Sequence, residues 1–240
     1  MNNIELRSAR FKKLHEMISR GTNKNIHVEE SKLRLELALK AGQSTYVFNP
    51  KKEIAGEHEV TLDRNDVFTP SMWGLFLGLR KDANPQVEHL FAYVPVNDGV
   101  NPSIHPVGFQ SEDANAIYDG GLQWLVDNTV MISSYPTERF KNIPETQGLF
   151  VLDSNDAAVQ EGVQSQWCLE DMMQTIIPRL TIAGTRDHKI SVNFNGVGLT
   201  FPVTTGYTPY LCLIMDGFLV KGGCEYIAGQ NAFADAVGQW

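Results

Sequence analysis

Leu33, Leu35, Leu37 and Leu39 interleave with Arg34, Glu36, Ala38 and Lys40, an alternation of period two. A helix would scatter those leucines around its circumference, whereas a strand sets all four on one face. The pattern therefore predicts a half-buried strand, ended by Gly42. Short apolar or β-branched runs then recur with turn residues between them: 45–48 before Asn49-Pro50, 59–62 before Asp63, 73–79 before Arg80-Lys81-Asp82, and 89–94 before Pro95. The rhythm continues through 122–126 before Asp127-Asn128, 130–132, 149–152, 189–194 before Asn195-Gly196, 199–203 and 210–220. Asn195-Gly196 is the strongest hairpin signal, because a two-residue turn with φ > 0 suits Asn-Gly. Pro202 belongs at an edge or bulge, since it cannot donate to a central ladder. Two helical excursions interrupt the β pattern, Ser111 to Tyr118 and Gln166 to Ile177, the second closed by Pro178.

Residues 4–20 follow a different period. Ile4, Phe11, Leu14 and Ile18 fall on one helical stripe, with Arg7, Arg10, Lys12, Lys13 and Arg20 around the remainder and Gly21 as the stop. A polar stretch containing Lys24 follows, so residues 1–30 form a basic helical arm and residues 31–240 the body. The small polar segment 153–158 either divides that body near 153–160 or is a long loop of one sandwich. Many short strands with 20 glycines and 11 prolines describe an all-β chain, an antiparallel β-sandwich with short helical insertions in its loops.

Charge changes the picture more than composition does. The 240 residues are 42% hydrophobic and 20% charged, enough for a packed core. Residues 1–40 carry nine Lys and Arg against five Glu, a net +4, while the remaining 200 carry 11 against 23 Asp and Glu, a net −12. A basic amphipathic arm on an acidic body suits an extension facing a polyanion or an acidic partner surface. The alternative is a solvated helix packed on its own subunit through the Ile4/Phe11/Leu14/Ile18 stripe. Few phosphates would be neutralised, so any nucleic-acid contact would be weak and salt-dependent.

Candidate chemistry is sparse. Cys168, Cys212 and Cys224 are widely spaced and odd in number, which predicts reduced thiols, with Cys212 a buried, inert one. No apolar leader and no 18-residue apolar window stand out, so synthesis in the cytosol is expected. No nucleotide, hydrolase or metalloprotease motif occurs, and no cofactor or metal is expected. His15, His27, His58, His89, His105 and His188 lie far apart, mostly in turns or beside charges, which predicts solvent-facing or supporting roles. The carboxylate pairs Asp63/Asp66, Glu112/Asp113 and Glu170/Asp171 read as solvated turns or a helix start rather than a glycosidase pair. Trp73, Trp124 and Trp167 offer either a sugar-stacking platform or core packing, with core packing favoured for the two inside apolar runs. Trp240 ends the chain as an apolar group expected to dock on its own body or on a neighbour.

The basic arm, the acidic strand-rich body with Pro/Gly/Asn loops, and runs such as 68–80 and 210–220 together resemble the jelly-roll coat proteins of small tailless icosahedral viruses and phages. About 12 to 14 strand-like runs lie between the eight strands of one jelly roll and those of a compact double one. The resemblance implies a non-catalytic, self-assembling virion subunit, a trimer or pentamer within a larger shell that also contacts other virion proteins. Under it, Arg7, Arg10, Lys12, Lys13, Arg20 and Lys24 would face genome or internal membrane, and Phe11, Leu14, Ile18 and Trp240 would make subunit contacts. The alternative reading is a non-catalytic carbohydrate-binding or fibre/adhesion module; a jelly-roll enzyme ranks below both.

Overall fold

The computed structural model describes residues 27–51, 55–86, 88–91, 111–141, 173–176, 180–196 and 207–224, together with Ser8, Ala9, Lys12 and Glu16. In chain order these form β1 (Val28–Ala38), β2 (Thr45–Phe48), β3 (Val67–Lys81), β4 (Glu88–Phe91), α1 (Ser111–Tyr118), β5 (Gly121–Val126) and β6 (Thr129–Pro136). A single 3-10 turn (Thr137–Phe140), β7 (Gln174–Thr175), β8 (Ile182–Ala183), β9 (His188–Asn193) and β10 (Tyr207–Val220) follow.

The strands make two antiparallel sheets. One runs β1-β10-β3, and the far edge of the 15-residue β3 is taken by three short strands in series: β4 along Leu77–Arg80, β7 at Met72 and Trp73, and β8 at Val67 and Phe68. The other runs β2-β9-β5-β6. Leu33, Leu35, Trp73, Leu75, Leu77, Leu211, Leu213 and Met215 of the first sheet pack against Tyr46, Phe48, Leu122, Trp124, Ile190 and Val192 of the second, forming the main core. Each such side chain contributes about 1.5–3 kcal/mol on burial. Ile117 and Tyr118 of α1 and Phe140 belong to the same core, and the Tyr118 hydroxyl donates to the Leu75 carbonyl at 2.8 Å.

Local sequence explains most of these elements. β5 buries alternate residues because one face meets the core and the other is partly open, and β9 does the same except at Ser191, which is buried on the outer face. β3 is buried from Val67 to Leu79 on both faces, which is why its sequence is almost continuously apolar. Its Pro70 sits at a bulge: Met72 pairs with Asp216 and Pro70 with Gly217, leaving Ser71 as the extra residue, whose hydroxyl donates to the Asp216 carbonyl at 3.0 Å. A residue without an N–H is tolerated in a central strand at such an interruption.

Several expectations change. Of the alternating leucines, Leu33, Leu35 and Leu39 are buried but Leu37 only partly. The 59–62 run is not a strand; it supplies one bridge, Val60 to Arg34, and the Glu59 carboxylate that accepts the Glu36 N–H, so that it covers the open edge of β1. Gln174 and Thr175 pair with β3 rather than ending a 166–177 helix, because the cost of an open edge on β3 outweighs helical periodicity. Asn195 and Gly196 do not take the positive φ of a two-residue turn; Gly196 instead lies where a β-carbon would be 2.5 Å from the Gln43 carbonyl. The tight two-residue turn is Asp127-Asn128, at φ 47° and 66°, joining β5 to β6. Pro202, the 149–152 and 199–203 runs and the division near 153–160 lie outside the described residues.

Candidate functional site

Among the described residues, two places hold ionisable side chains that are buried or largely so. The first is the outer face of the larger sheet. Alternation on β1 puts Arg34 and Glu36 opposite the leucine face, and the register sets Ala38 beside Tyr210 and Tyr210 beside Gly78, with Arg80 paired to Glu88. Four charges from three strands thereby close a ring: Arg34 to Glu36 at 2.7 Å, Glu36 to Arg80 at 2.7 Å, Arg80 to Glu88 at 3.1 Å and Glu88 to Arg34 at 2.8 Å. Tyr210 lies inside it, its hydroxyl donating to Glu88 at 3.0 Å and its ring 4.7 Å from the Arg80 guanidinium carbon. The 56–60 segment reaches from the β1 edge to the β3–β4 turn, where His58 Nε2 donates to the Pro85 carbonyl at 3.0 Å and Gln86 bonds Glu57.

The ring is electrically neutral, and each of its charges has two opposite neighbours. Burial alone would raise the Glu88 carboxyl, but Arg80, Arg34 and the Tyr210 hydroxyl more than reverse this and hold it below its ordinary value. Burial and the Glu88 charge push the Tyr210 phenol up. Cys212, packed beneath on β10, is pushed up to about 12 by burial, so it is an inert thiol as its apolar run predicts. Replacing an ion cluster of this kind by well-packed apolar groups is often neutral, whereas removing one partner leaves a charge uncompensated and is costly.

The second place is His188, at the start of β9 and fully buried. The Ala183 backbone N–H points at its Nε2 at 3.2 Å and the Trp124 indole N–H at its Nδ1 at 3.4 Å, and the neutral ring accepts from one of the two. Burial lowers its pKa to about 4, against the opposing pull of Asp127. The Asp127 carboxylate accepts the Asp187 N–H at 2.9 Å and Arg186 at 3.0 Å, joining the β5–β6 turn to the β8–β9 turn. The sequence placed His188 among solvent-facing histidines; its burial follows from Ile190 and Val192, which alternate with it on the inner face of β9.

Of the proposed arm contacts, Lys12 is helical and exposed. Arg7, Arg10, Lys13, Arg20 and Lys24, and the proposed subunit contacts Phe11, Leu14, Ile18 and Trp240, lie outside the described residues. Trp73 and Trp124 are core residues, not a surface platform, and Trp167 lies outside the described residues. Asp66 is buried and accepts the Gly222 N–H at 2.8 Å, Glu112 and Asp113 open α1, and Glu170 and Asp171 are outside the described residues. Sequence spacing missed the Arg34/Glu36/Arg80/Glu88 ring; its one signal was Arg-x-Glu on the second face of a leucine strand. No protein family matches this chain, and no curated protein or solved structure is found to be similar to it.

Proposed function

We propose that this chain is a single eight-stranded jelly roll serving as a self-assembling coat subunit of a virus or phage particle. The observation that carries the fold reading is the nested pairing. Taking β7 and β8 as one interrupted strand and setting aside the short β4, which folds back along the edge of β3, the first strand pairs with the eighth (β1 with β10), the second with the seventh (β2 with β9), the third with the sixth (β3 with β7 and β8) and the fourth with the fifth (β5 with β6). That is one long hairpin, and the contacts of β10 with β3 and β9 with β5 are those made when it is rolled up.

Jelly rolls host several functions, so the surface must argue for this one. Strands β2, β5, β6 and β9 contain one Lys, Arg, Asp or Glu between them, Lys189, and Val47 and Val130 are exposed on these strands at 47% and 49%. A charge-poor sheet face on a chain with net charge −8 suits burial against neighbouring subunits. The carbohydrate-binding alternative loses Trp73 and Trp124 to the core.

Light scattering with negative-stain imaging of the full chain, at low and high salt, tests the reading. Discrete trimers, pentamers or shells are expected. A monomer near 26.8 kDa in every condition would overturn it and direct attention to glycan binding.

A further inference from the structure

We propose that His188 is a proton-sensitive tie between the two sheets, whose release on acidification opens the β8–β9 corner and uncovers the thiol of Cys224. His188 and Trp124 belong to the four-stranded sheet, while Ala183 belongs to β8, which pairs with β3 of the other sheet through Val67. The ring therefore spans the two sheets with two donors aimed at it. A neutral imidazole has one lone pair in the ring plane and can satisfy one of those donors fully. An imidazolium has none, and sets N–H against N–H on both sides. Protonation thus removes the one acceptor that the closed geometry uses and adds a second opposed N–H pair to the one the neutral ring already carries.

What the tie holds shut is a small second core. Ala183 packs with Val67, Phe218, Val220 and Cys224. Two residues further on, the Thr185 hydroxyl donates to Cys224 Sγ at 3.7 Å, while the thiol donates to the Asp66 carbonyl at 3.2 Å. The 183–185 segment therefore forms one wall around a buried thiol. Three charged groups act on the ring from the elements around it: Asp127 at the end of β5, Asp187 in the turn before β9, and Lys51 after β2. Asp127 and Asp187 favour the imidazolium and Lys51 opposes it, but both carboxylates are engaged elsewhere, Asp127 with Arg186 and Asp187 with Lys189. Burial outweighs them and keeps the ring neutral down to about pH 4. In an opened corner the imidazole regains its ordinary value of about 6.5, so the open population grows as pH falls between these two values, by up to a few hundredfold.

The test labels the thiols of the full-length protein with dithiodipyridine from pH 7 to pH 4, mapping each cysteine by mass spectrometry, in the wild type and in His188→Gln. Glutamine can accept from the Ala183 N–H and takes up no proton. Cys212, at the centre of the larger sheet, is the internal control. Labelling of Cys224 relative to Cys212 is expected to rise at least tenfold more in the wild type than in His188→Gln. Equal rises in both proteins, or Cys212 and Cys224 becoming reactive together, would overturn the tie. Should His188→Gln fail to fold, the wild type alone decides by NMR. Titration of the His188 ring below pH 5, in step with the Trp124 indole N–H, supports the proposal; titration near 6.5, or an indole signal that ignores it, sinks it.

Discussion

The ring of Tyr210 lies over Gly78, its cross-strand partner, so closely that a β-carbon on Gly78 would stand 2.1 Å from Cζ. Glycine in a central strand is usually unfavourable by about 0.5–1 kcal/mol relative to alanine. Here the missing side chain is the seat of an aromatic ring that is also held by Glu88 and stacked under Arg80. Gly78→Ala should therefore destabilise the protein by about 2 kcal/mol in urea denaturation despite its better strand propensity. Combining it with Tyr210→Leu should recover part of that loss; strict additivity of the two substitutions would show that the ring and the glycine are not coupled.

The ring of charges predicts an acid limb. Glu88 is held below its ordinary carboxyl value in the folded state, so it binds its proton later than in the unfolded chain. Its stabilising contribution is complete above the unfolded value near 4.5 and is lost as pH falls through the lower folded value. Glu88→Gln should cost about 2 kcal/mol at pH 7, below the 3–5 kcal/mol of a fully buried pair because the Glu88 side chain is 20% exposed. The variant should also lose less stability than wild type between pH 4.5 and pH 3. Parallel stability curves over that range would remove Glu88 from the acid response.

The β5–β6 turn makes a backbone prediction. Asn128 holds φ 66°, a conformation that β-branched residues resist by about 1–2 kcal/mol. Asn128→Val should lower the thermal midpoint by several degrees and Asn128→Gly should leave it nearly unchanged. Asp127→Ala should be costlier than Asn128→Gly because the Asp187 N–H and Arg186 lose their acceptor. Equal midpoints for Asn128→Val and Asn128→Gly would contradict this.

On the coat reading, Val130 contributes to subunit contact. Val130→Arg places a charge on an exposed position, so the melting temperature should move by no more than the equivalent of about 0.5 kcal/mol. Assembly measured by light scattering should nevertheless fall sharply. An unchanged mass distribution would exclude this face as the contact.

Period-two alternation carried much of the fold. The leucines of β1, the apolar runs of β3 and β10, the helix at Ser111–Tyr118 and the burial of Cys212, Trp73 and Trp124 are all legible from spacing, because each reflects one local face meeting one core. The failures share a cause as well. Residues 174–175 carry a helical pattern yet pair with β3, and Asn195-Gly196 carries a turn signal yet packs on Gln43, since in both the deciding partner is distant in sequence. The candidate sites were less legible still. Arg34 and Glu88 are 54 residues apart and Ala183 reaches His188 only across a turn, so no motif spacing encodes them.

Periodicity and charge are properties of neighbouring residues, so the strand-forming runs, the net +4 of residues 1–40 and the net −12 of the remainder are readable from the chain alone. Which strands lie side by side in the two antiparallel sheets, how four charges close around Tyr210 and how His188 is buried against both sheets arise only in the folded chain. Pairing, burial and the loss of water depend on which strands lie side by side, and that is fixed by the whole chain folding around one core.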